Sequence, residues 1–380
     1  MSRLWIVREI DPGRKAALAQ ALSITPATAA LLLARGVTTA DEAAAWMAPL
    51  RGHDPFLIPD IEIAIERLHR ARQRGERVCF YGDYDVDGMS ATSIYLSFFR
   101  GLGAEVRAYV PHRIREGYGL NEGAIRAVAA EGVTLLVTSD CGTTSHREIA
   151  LANQLGMDVL VTDHHHTDAQ MPPALAVMNP HRADSRYPFH GLCSGGLAYK
   201  VVEAYQARYG PGAVPLESLL DLVALATIAD VVPLQDENRG FVRAGLQQLS
   251  RGARCGIRAL KLAAGVTRDC MAETVGFKLA PRLNAAGRLD HAIKGVQLLT
   301  TESEVEARAL AQELDQMNRQ RQELEAEIMR EAVAVLEEQG VPPAIVIGSR
   351  RWHLGVVGIV AARLVERYHR PAIVMAITEQ

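Results

Sequence analysis

Three carboxylates at alternate positions, Asp83, Asp85 and Asp87, closed by Gly88, are the residues of this chain best placed to do chemistry. They follow a short apolar run at 78–81, within the stretch VCFYGDYDVDG. Alternate residues of an extended segment point the same way, so a strand geometry continued past the run brings the three acids to one spot. Clustered carboxylates repel one another unless a cation compensates them, and the simplest such cation is a hard divalent metal. The competing reading is a solvated acidic loop that caps a helix beginning near Met89.

Two further segments carry metal-competent side chains: Ser139-Asp140-Cys141-Gly142 and Asp163-His164-His165-His166. Each follows an apolar strand-like run, at 133–138 and 159–162. Together with the runs at 78–81 and 106–110, and helical patterns over 89–100, 121–130 and 145–155, they predict an α/β domain with a parallel sheet. Such sheets place their sites at the carboxyl ends of the strands. All the acids and histidines named so far fall on that rim. Carboxylates and imidazole without thiolate favour manganese or magnesium over zinc or iron. The number of acids implies two ions, which would hold a phosphate between them and activate a water for in-line attack. For residues 163–166 the competing reading is a helix N-cap with surface histidines.

The remaining elements either complete this rim or frame it. Ser194-Gly195-Gly196 opens a helix, and its N–H groups either meet a phosphate or reflect close helix packing. Residues 219–234 form an apolar helical pattern with two interior acids. Asp230 is the candidate for the remaining metal ligand, and Asp221 is expected to cap or to face solvent. Residues 277–289 gather Lys278, Arg282, Asn284 and Arg288 among small apolar residues, a concentration of donors that favours substrate contact over an ordinary surface loop. Arg282 and Arg288 are planar donors suited to bidentate phosphate capture. Residues 302–339 predict one long helix whose apolar stripe, Leu310, Leu314, Met317, Leu324 and Ile328, breaks at Arg321. That favours a helix bridging two domains over a coiled coil. A strand at 344–347, the segment 352–358 containing His353, a helix at 359–368 and a strand at 372–377 then form a second α/β unit.

Residues 1–70 predict a helical lead-in, broken at Pro26, Gly36, Pro49, Pro55 and Pro59, that packs on the main domain. Its last helix, 61–74, sets Ile61, Ile65 and Leu68 on one side and Arg67, Arg70, Arg72 and Arg74 elsewhere. The expected organisation is a lead-in (1–70), a catalytic α/β domain (71–235), a helical extension with a substrate-contact motif (236–300), a connecting helix (301–340) and an incomplete second domain (341–380).

Composition narrows the function classes. The 380 residues are 48% hydrophobic and 22% charged, with a formal net charge of −3. A polyanion would therefore meet a local basic patch and not a global field. The five cysteines are scattered without a CxxC pair, which points to a reducing cytoplasm and away from zinc–thiolate or disulfide scaffolds. No apolar run approaches the length of a membrane span, and the first eleven residues lack a signal-peptide core. A nucleotide-cofactor domain is disfavoured because no GxGxxG follows the first strand.

With these residues assembled, the chain resembles the DHH phosphoesterase family, and within it the branch of single-stranded-DNA-specific exonucleases. GDYDVDG at 82–88, SDCG at 139–142, TDHH at 162–165 and ATIADVVPL at 226–234 carry the family match. APRLNAAGRL at 280–289 and WHLGVVGIVAARL at 352–364 are particular to the branch. The resemblance covers roughly residues 50–380 and implies a DHH domain joined by a long helix to a partial DHHA1 domain. It also implies 5′→3′ hydrolysis of single-stranded DNA with manganese or magnesium, in recombination and repair.

By the same resemblance, Asp85, Asp87, Asp140, His164 and Asp230 match the metal ligands, with Asp140 bridging two ions and Asp83 ligating or orienting. His165 matches the residue that holds the scissile phosphate, and Asp163 positions the histidines. Arg282 falls in the 5′-phosphate motif, Arg113 and Tyr118 in a loop lining the DNA channel, and His353 in the branch-specific segment. Ser194, Gly195, Asn284 and Arg288 complete the expected substrate contacts. The implied partners are single-stranded DNA, a single-strand-binding protein and a helicase, with the chain as a monomer. Members of the branch continue into a complete DHHA1 domain and an OB-fold, so weak, non-processive activity is the expectation for this sequence. The rivals are a DHH phosphoesterase acting on short RNA, cyclic dinucleotides or pyrophosphate, and a core that binds DNA without cleaving it.

Overall fold

The computed structural model describes residues 9–47 and 52–377, in two compact units that divide at Gly52. Pro49 and the first eight residues lie outside the described residues. The first unit is a cluster of three short helices, α1 (Pro12–Leu22), α2 (Pro26–Ala34) and α3 (Ala40–Met47). Asp11 and Thr25 cap α1 and α2, each followed by a proline at the first helical position, where no backbone N–H is needed. Leu18, Ala29, Leu32, Val37 and Ala43 form its core.

The second unit begins at His53 and opens with α4 (Ile61–Arg74), which Gly75 ends in the left-handed conformation. Five parallel strands follow: β1 (Arg77–Gly82), β2 (Val106–Tyr109), β3 (Val133–Ser139), β4 (Asp158–Thr162) and β5 (Ala176–Met178). Their spatial order is β2-β1-β3-β4-β5. Consecutive parallel strands need crossover helices, and α5 (Val86–Gly101), α6 (Glu122–Ala130) and α7 (His146–Gln154) supply them. The order reverses between β1 and β3, the switch point at which such sheets open a crevice. The parallel α/β sheet expected from sequence is therefore present. Its fifth strand, only Ala176–Met178, was too short to read.

Alternation along the strands fixes which face meets which helix. Cys79, Tyr81, Leu136, Val159 and Val161 pack with Ile125 and Val128 of α6 and Ile149 and Ala152 of α7. On the opposite face Phe80 stacks on Tyr95 of α5 with ring centroids 4.9 Å apart. That side is completed by α8 (Ser194–Tyr209) and α9 (Leu220–Ala229), both packed on α5. The lead-in expected over 1–70 accordingly divides, because α4 packs on α8 and β5 within the second unit. Arg67 of α4 also departs from expectation. It is 6% exposed and pairs with Glu76 at 2.6 Å and Asp158 at 2.5 Å, tying α4 to the start of β4.

Next come α10 (Asp236–Arg251) and α11 (Cys255–Ala263). Then α12 (Ala272–Thr274) passes through one π-helical turn (Val275–Leu279) into α13 (Ala280–Leu289), so the motif at 277–289 lies on helix and not on a surface loop. After α14 (Ile293–Thr300), the long α15 (Glu304–Gln339) bridges as expected. Its first half packs on α11, α13 and α14. In its second half, Ile328, Ala332 and Leu336 join Val356, Val360 and Leu364 of α16 (Leu354–Tyr368). The parallel pair β6 (Ile345–Ser349) and β7 (Ala372–Ala376) lies on the same core. Arg321, where the apolar stripe breaks, is half-buried and pairs with Glu325 at 2.6 Å. No single described helix is long and apolar enough to cross a membrane.

Removing the Arg67 guanidinium leaves Glu76 and Asp158 without their partner, one of them half-exposed and partly relieved by water. The expected cost of Arg67→Ala is about 2 to 3 kcal/mol, read as a lower urea midpoint. An unchanged midpoint contradicts this role.

Candidate metal centre

Four segments bring the acids to the carboxyl rim of the sheet. After β1 the backbone continues the ladder for one residue, with Asp83 N–H donating to Ser139 O at 3.1 Å. It then turns into α5. Asp85 is the N-cap, its Oδ1 accepting from Asp87 N at 2.9 Å and Gly88 N at 3.2 Å. The alternating extended geometry expected for Asp83, Asp85 and Asp87 does not persist, because Asp87 lies in the first turn of the helix. The acids still converge, by a tight turn instead of a continued strand. Gly88 permits that turn: a Cβ there would lie 2.6 Å from both Asp83 N and Asp83 O. The capping reading holds for Asp85 as well, so one residue both caps and faces the rim.

After β3, Asp140 adopts φ +69°, the left-handed region that asparagine and aspartate tolerate best among non-glycine residues. After β4, Asp163 accepts at Oδ1 from His164 N at 2.8 Å and His165 N at 3.2 Å, and at Oδ2 from Thr143 N at 3.0 Å. Residues 163–166 therefore form a loop knotted around a buried carboxylate and not a helix N-cap. The fourth segment is the end of α9, which stops at Ala229 and not at Leu234. Asp230 is its C-cap.

The side chains fall into three overlapping groups of potential ligands: Asp83, Asp85 and Asp140; Asp140, His164 and His165; and Asp87, His164 and Asp230. Within each group the ligand atoms lie within 4.8 Å of one another. His164 Nε2 sits 3.2 Å from Asp140 Oδ1, 3.6 Å from Asp87 Oδ2 and 3.7 Å from Asp230 Oδ2. Asp83 Oδ1 is buried and has no hydrogen-bond partner. A buried carboxylate oxygen without a donor is costly, and a hard cation satisfies it. The donor set, five carboxylates and two imidazoles, fits manganese or magnesium.

The electrostatics have the same origin. Burial, then the Asp85 charge, pushes Asp83 up to about 8. Burial, then Asp87 and Asp85, pushes Asp230 up to about 7. Asp140 is raised well above its ordinary value by burial and by Asp87, Asp85, Asp83 and Asp163. Burial also raises Asp87, against the opposing His164 and the N–H groups of Gly195 and Ser194. Asp163 differs. Burial would raise it, but the hydrogen bond and charge of His165 hold it below the usual range. Reciprocally, the Asp163 hydrogen bond, 2.7 Å from His165 Nδ1, raises His165.

Several expected substrate contacts are engaged elsewhere. Ser194 N donates to Asp87 Oδ2 at 2.7 Å and Gly195 N to Asp87 Oδ1 at 2.8 Å, while Ser194 Oγ donates to Asp140 Oδ1 at 3.1 Å. The start of α8 thus holds two acids, and these N–H groups are not free for a phosphate. Arg282 Nε pairs with Asp315 Oδ1 at 2.8 Å and its Nη1 donates to Lys278 O at 2.6 Å, so it braces α13 on α15. Asn284 Oδ1 accepts from Val86 N at 3.1 Å, docking α13 on the acidic loop. Gly287 allows that approach, since a Cβ there would lie 2.5 Å from Tyr84 O. His353 caps α16 by accepting from Gly355 N at 3.1 Å. Asp221, expected to cap or to face solvent, is 4% exposed, accepts from Leu222 N at 2.8 Å and pairs with Arg254 at 3.0 Å.

Other contacts stay at the rim. Tyr118 Oη donates to Asp140 O at 3.1 Å, and the Tyr118 ring meets His165 edge-on at 6.0 Å. Arg113 lies over the Tyr84 ring, 4.7 Å from its centroid. Burial lowers Arg288, as do the like charges of Arg113 and Arg321 nearby. Tyr84, Thr143 and Asn179 were not singled out in the sequence. Asn179 donates to Thr143 Oγ1 at 3.1 Å and His165 O at 2.8 Å, locking the histidine loop. Tyr84 alone carried a signal, lying between two of the acids.

This arrangement has counterparts. Residues 77–227 match the family model described as DHH family, N-terminal domain. A crystal structure of exonuclease RecJ bound to manganese superposes with a TM-score of 0.77 at 36% identity, covering 87% of this chain and 82% of that one. The chain belongs to the RecJ family of DHH proteins. The structure of RecJ from Thermus thermophilus in complex with Mn2+ gives a TM-score of 0.83 at 33% identity, over 97% of this chain and 53% of that one. The single-stranded-DNA-specific exonuclease RecJ of Bacillus subtilis is 41% identical over 380 residues, 99% of this chain and 48% of its own length. That of Escherichia coli is 38% identical over 371 residues, 93% of this chain and 64% of its own. This RecJ-family chain thus spans about half the length of the Bacillus relative.

The raised carboxylates set a pH dependence. Asp83 and Asp230 bind protons more tightly in the folded chain than in the unfolded one. Metal-free protein therefore loses stability as pH rises from about 4 through about 7 (Asp230) and about 8 (Asp83). Asp163 has the opposite sign, and its contribution is lost only below the ordinary carboxylate range. The urea midpoint of EDTA-treated protein should fall between about pH 5 and pH 8, and manganese should restore it at the upper end. A flat profile, or a fall that manganese leaves untouched, contradicts the assignment.

Proposed function

We propose that this chain is the nuclease core of a manganese- or magnesium-dependent exonuclease that hydrolyses single-stranded DNA from the 5′ end. The observation that carries this reading is the overlap of the ligand groups, in which Asp140 and His164 each belong to two. Asp83, Asp85 and Asp140 would hold one ion, and Asp140, His164, Asp87 and Asp230 would hold a second, with Asp140 shared. Two divalent ions held there would lower the pKa of a water and neutralise charge as the phosphodiester opens.

The chain's own residues do the rest. Asp163 holds His165 by Nδ1, so the other ring nitrogen is aimed and, in the charged form, able to donate to the scissile phosphate. Ser194, Gly195 and Asn284 keep the acids and the acidic loop in register. Arg113, over the Tyr84 ring, and Arg288, whose Nη1 donates to Gly355 O at 3.1 Å, have remaining N–H donors suited to phosphate oxygens. Tyr118, 55% exposed beside Asp140 and His165, offers a ring to a base. No protein nucleophile is needed. The biological setting that fits is repair and recombination in the cytoplasm, by a monomer to which a helicase and a single-strand-binding protein present the strand.

The test is manganese-dependent cleavage of oligonucleotides labelled at either end, comparing single-stranded DNA, duplex DNA and short RNA. Early release of the 5′ label from single-stranded DNA alone is expected, with Asp140→Ala reducing the rate at least about 100-fold. Turnover of short RNA or a cyclic dinucleotide without DNA cleavage overturns the proposal in favour of a different DHH phosphoesterase.

A further inference from the structure

Phe277 is 80% exposed, whereas the other six phenylalanines of the chain are buried or half-buried. It lies on the π-helical turn Val275–Leu279, a geometry found mostly as single turns and frequently at functional sites. The turn is held in place from two sides. Arg282 donates to Lys278 O inside it at 2.6 Å and is itself fixed by Asp315 of α15 at 2.8 Å. Downstream, Asn284 ties the same helix to Val86 of the acidic loop. The turn also packs on the end of α9 that leads to Asp230. A Cβ on Gly276 would lie 3.9 Å from Ile228 Cγ2, two residues before the ligand Asp230. Just beyond Asp230, Val231 is 86% exposed and in the left-handed region at φ +59°, where a β-branched residue is strained. An exposed aromatic ring and an exposed, strained valine therefore flank the ligand-bearing end of α9. Neither exposure helps a folded core.

We propose that Phe277 is a base-stacking residue that receives a nucleobase of the single strand as it passes the metal centre. The inference rests on the functional reading above and deepens it by adding a contact to the bases. Stacking on an aromatic ring is tolerant of sequence, because every base has a π-face. In a base pair within duplex, a base's faces are covered by its stacked neighbours, so Phe277 favours single strands. Arg282 is then a positioning residue that presents the ring and not a phosphate ligand.

The experiment measures binding of fluorescent single strands to the full chain with calcium replacing manganese, comparing oligo-dT with an abasic strand of equal length. Phe277→Ala should weaken oligo-dT binding by about 5- to 100-fold and leave the abasic strand unaffected. Phe277→Trp should retain wild-type affinity for both. The ring is exposed, so thermal unfolding of Phe277→Ala should match wild type. Equal oligo-dT affinity in Phe277→Ala and wild type overturns the proposal, as does a parallel loss for the abasic strand. A wild-type protein that binds no single strand removes the functional reading itself, and that result appears without any variant.

Discussion

Mutual repulsion among buried carboxylates is the constraint on which the rest of this structure depends. Asp83, Asp87 and Asp140 are each no more than 3% exposed and converge on one rim of a parallel sheet. Left uncompensated, burial and like charge drive them towards the protonated form, which would forfeit their value as ligands. A divalent cation held there would convert the same crowding into affinity. The protein supplies what lies beneath: backbone N–H groups of Ser194 and Gly195 on Asp87, of Asp87 and Gly88 on Asp85, and of Thr143, His164 and His165 on Asp163. These fixed dipoles orient the acids without adding charge that would compete with a metal.

The fold exists to make that convergence possible from residues far apart in the chain. The switch point between β1 and β3 places Asp83 and Asp140 on adjacent strands, and β4 adds the histidine loop. The helical half closes the ring: α9 delivers Asp230, α8 anchors Asp87 and Asp140, and α13 presses on the acidic loop through Asn284 and the gap left by Gly287. The long α15 then connects this assembly to the small second core through Arg282–Asp315 at one end and Ile328, Ala332 and Leu336 at the other.

Much of this was legible in the sequence, because residue type alone dictated it. Apolar runs ending in acids identified the strands and their rim, and Asp230 stood out as an acid at the end of an apolar helix. What was not legible depends on three-dimensional partners. Arg282 and Ser194 are as well suited to a phosphate as to Asp315 and Asp87, and only packing chooses between them. Arg67 reads as a surface arginine until Asp158, distant in the chain, arrives beside it. Asp85 and Asp87 alternate like strand residues, yet capping turns them into the start of a helix. The branch-specific segment at 280–289 was recognisable as a motif. The π-turn before it carried no signal in the sequence, and its proline is tolerated because it sits in the first turn of α13.

The central claim, that this rim is a two-cation site bridged by Asp140, is tested most directly by counting manganese on the protein with electron paramagnetic resonance. Two bound ions per chain, spin-coupled through a shared ligand, with coupling lost in Asp140→Asn, are the predicted result. A single uncoupled ion, or two ions whose signal Asp140→Asn does not alter, would contradict it.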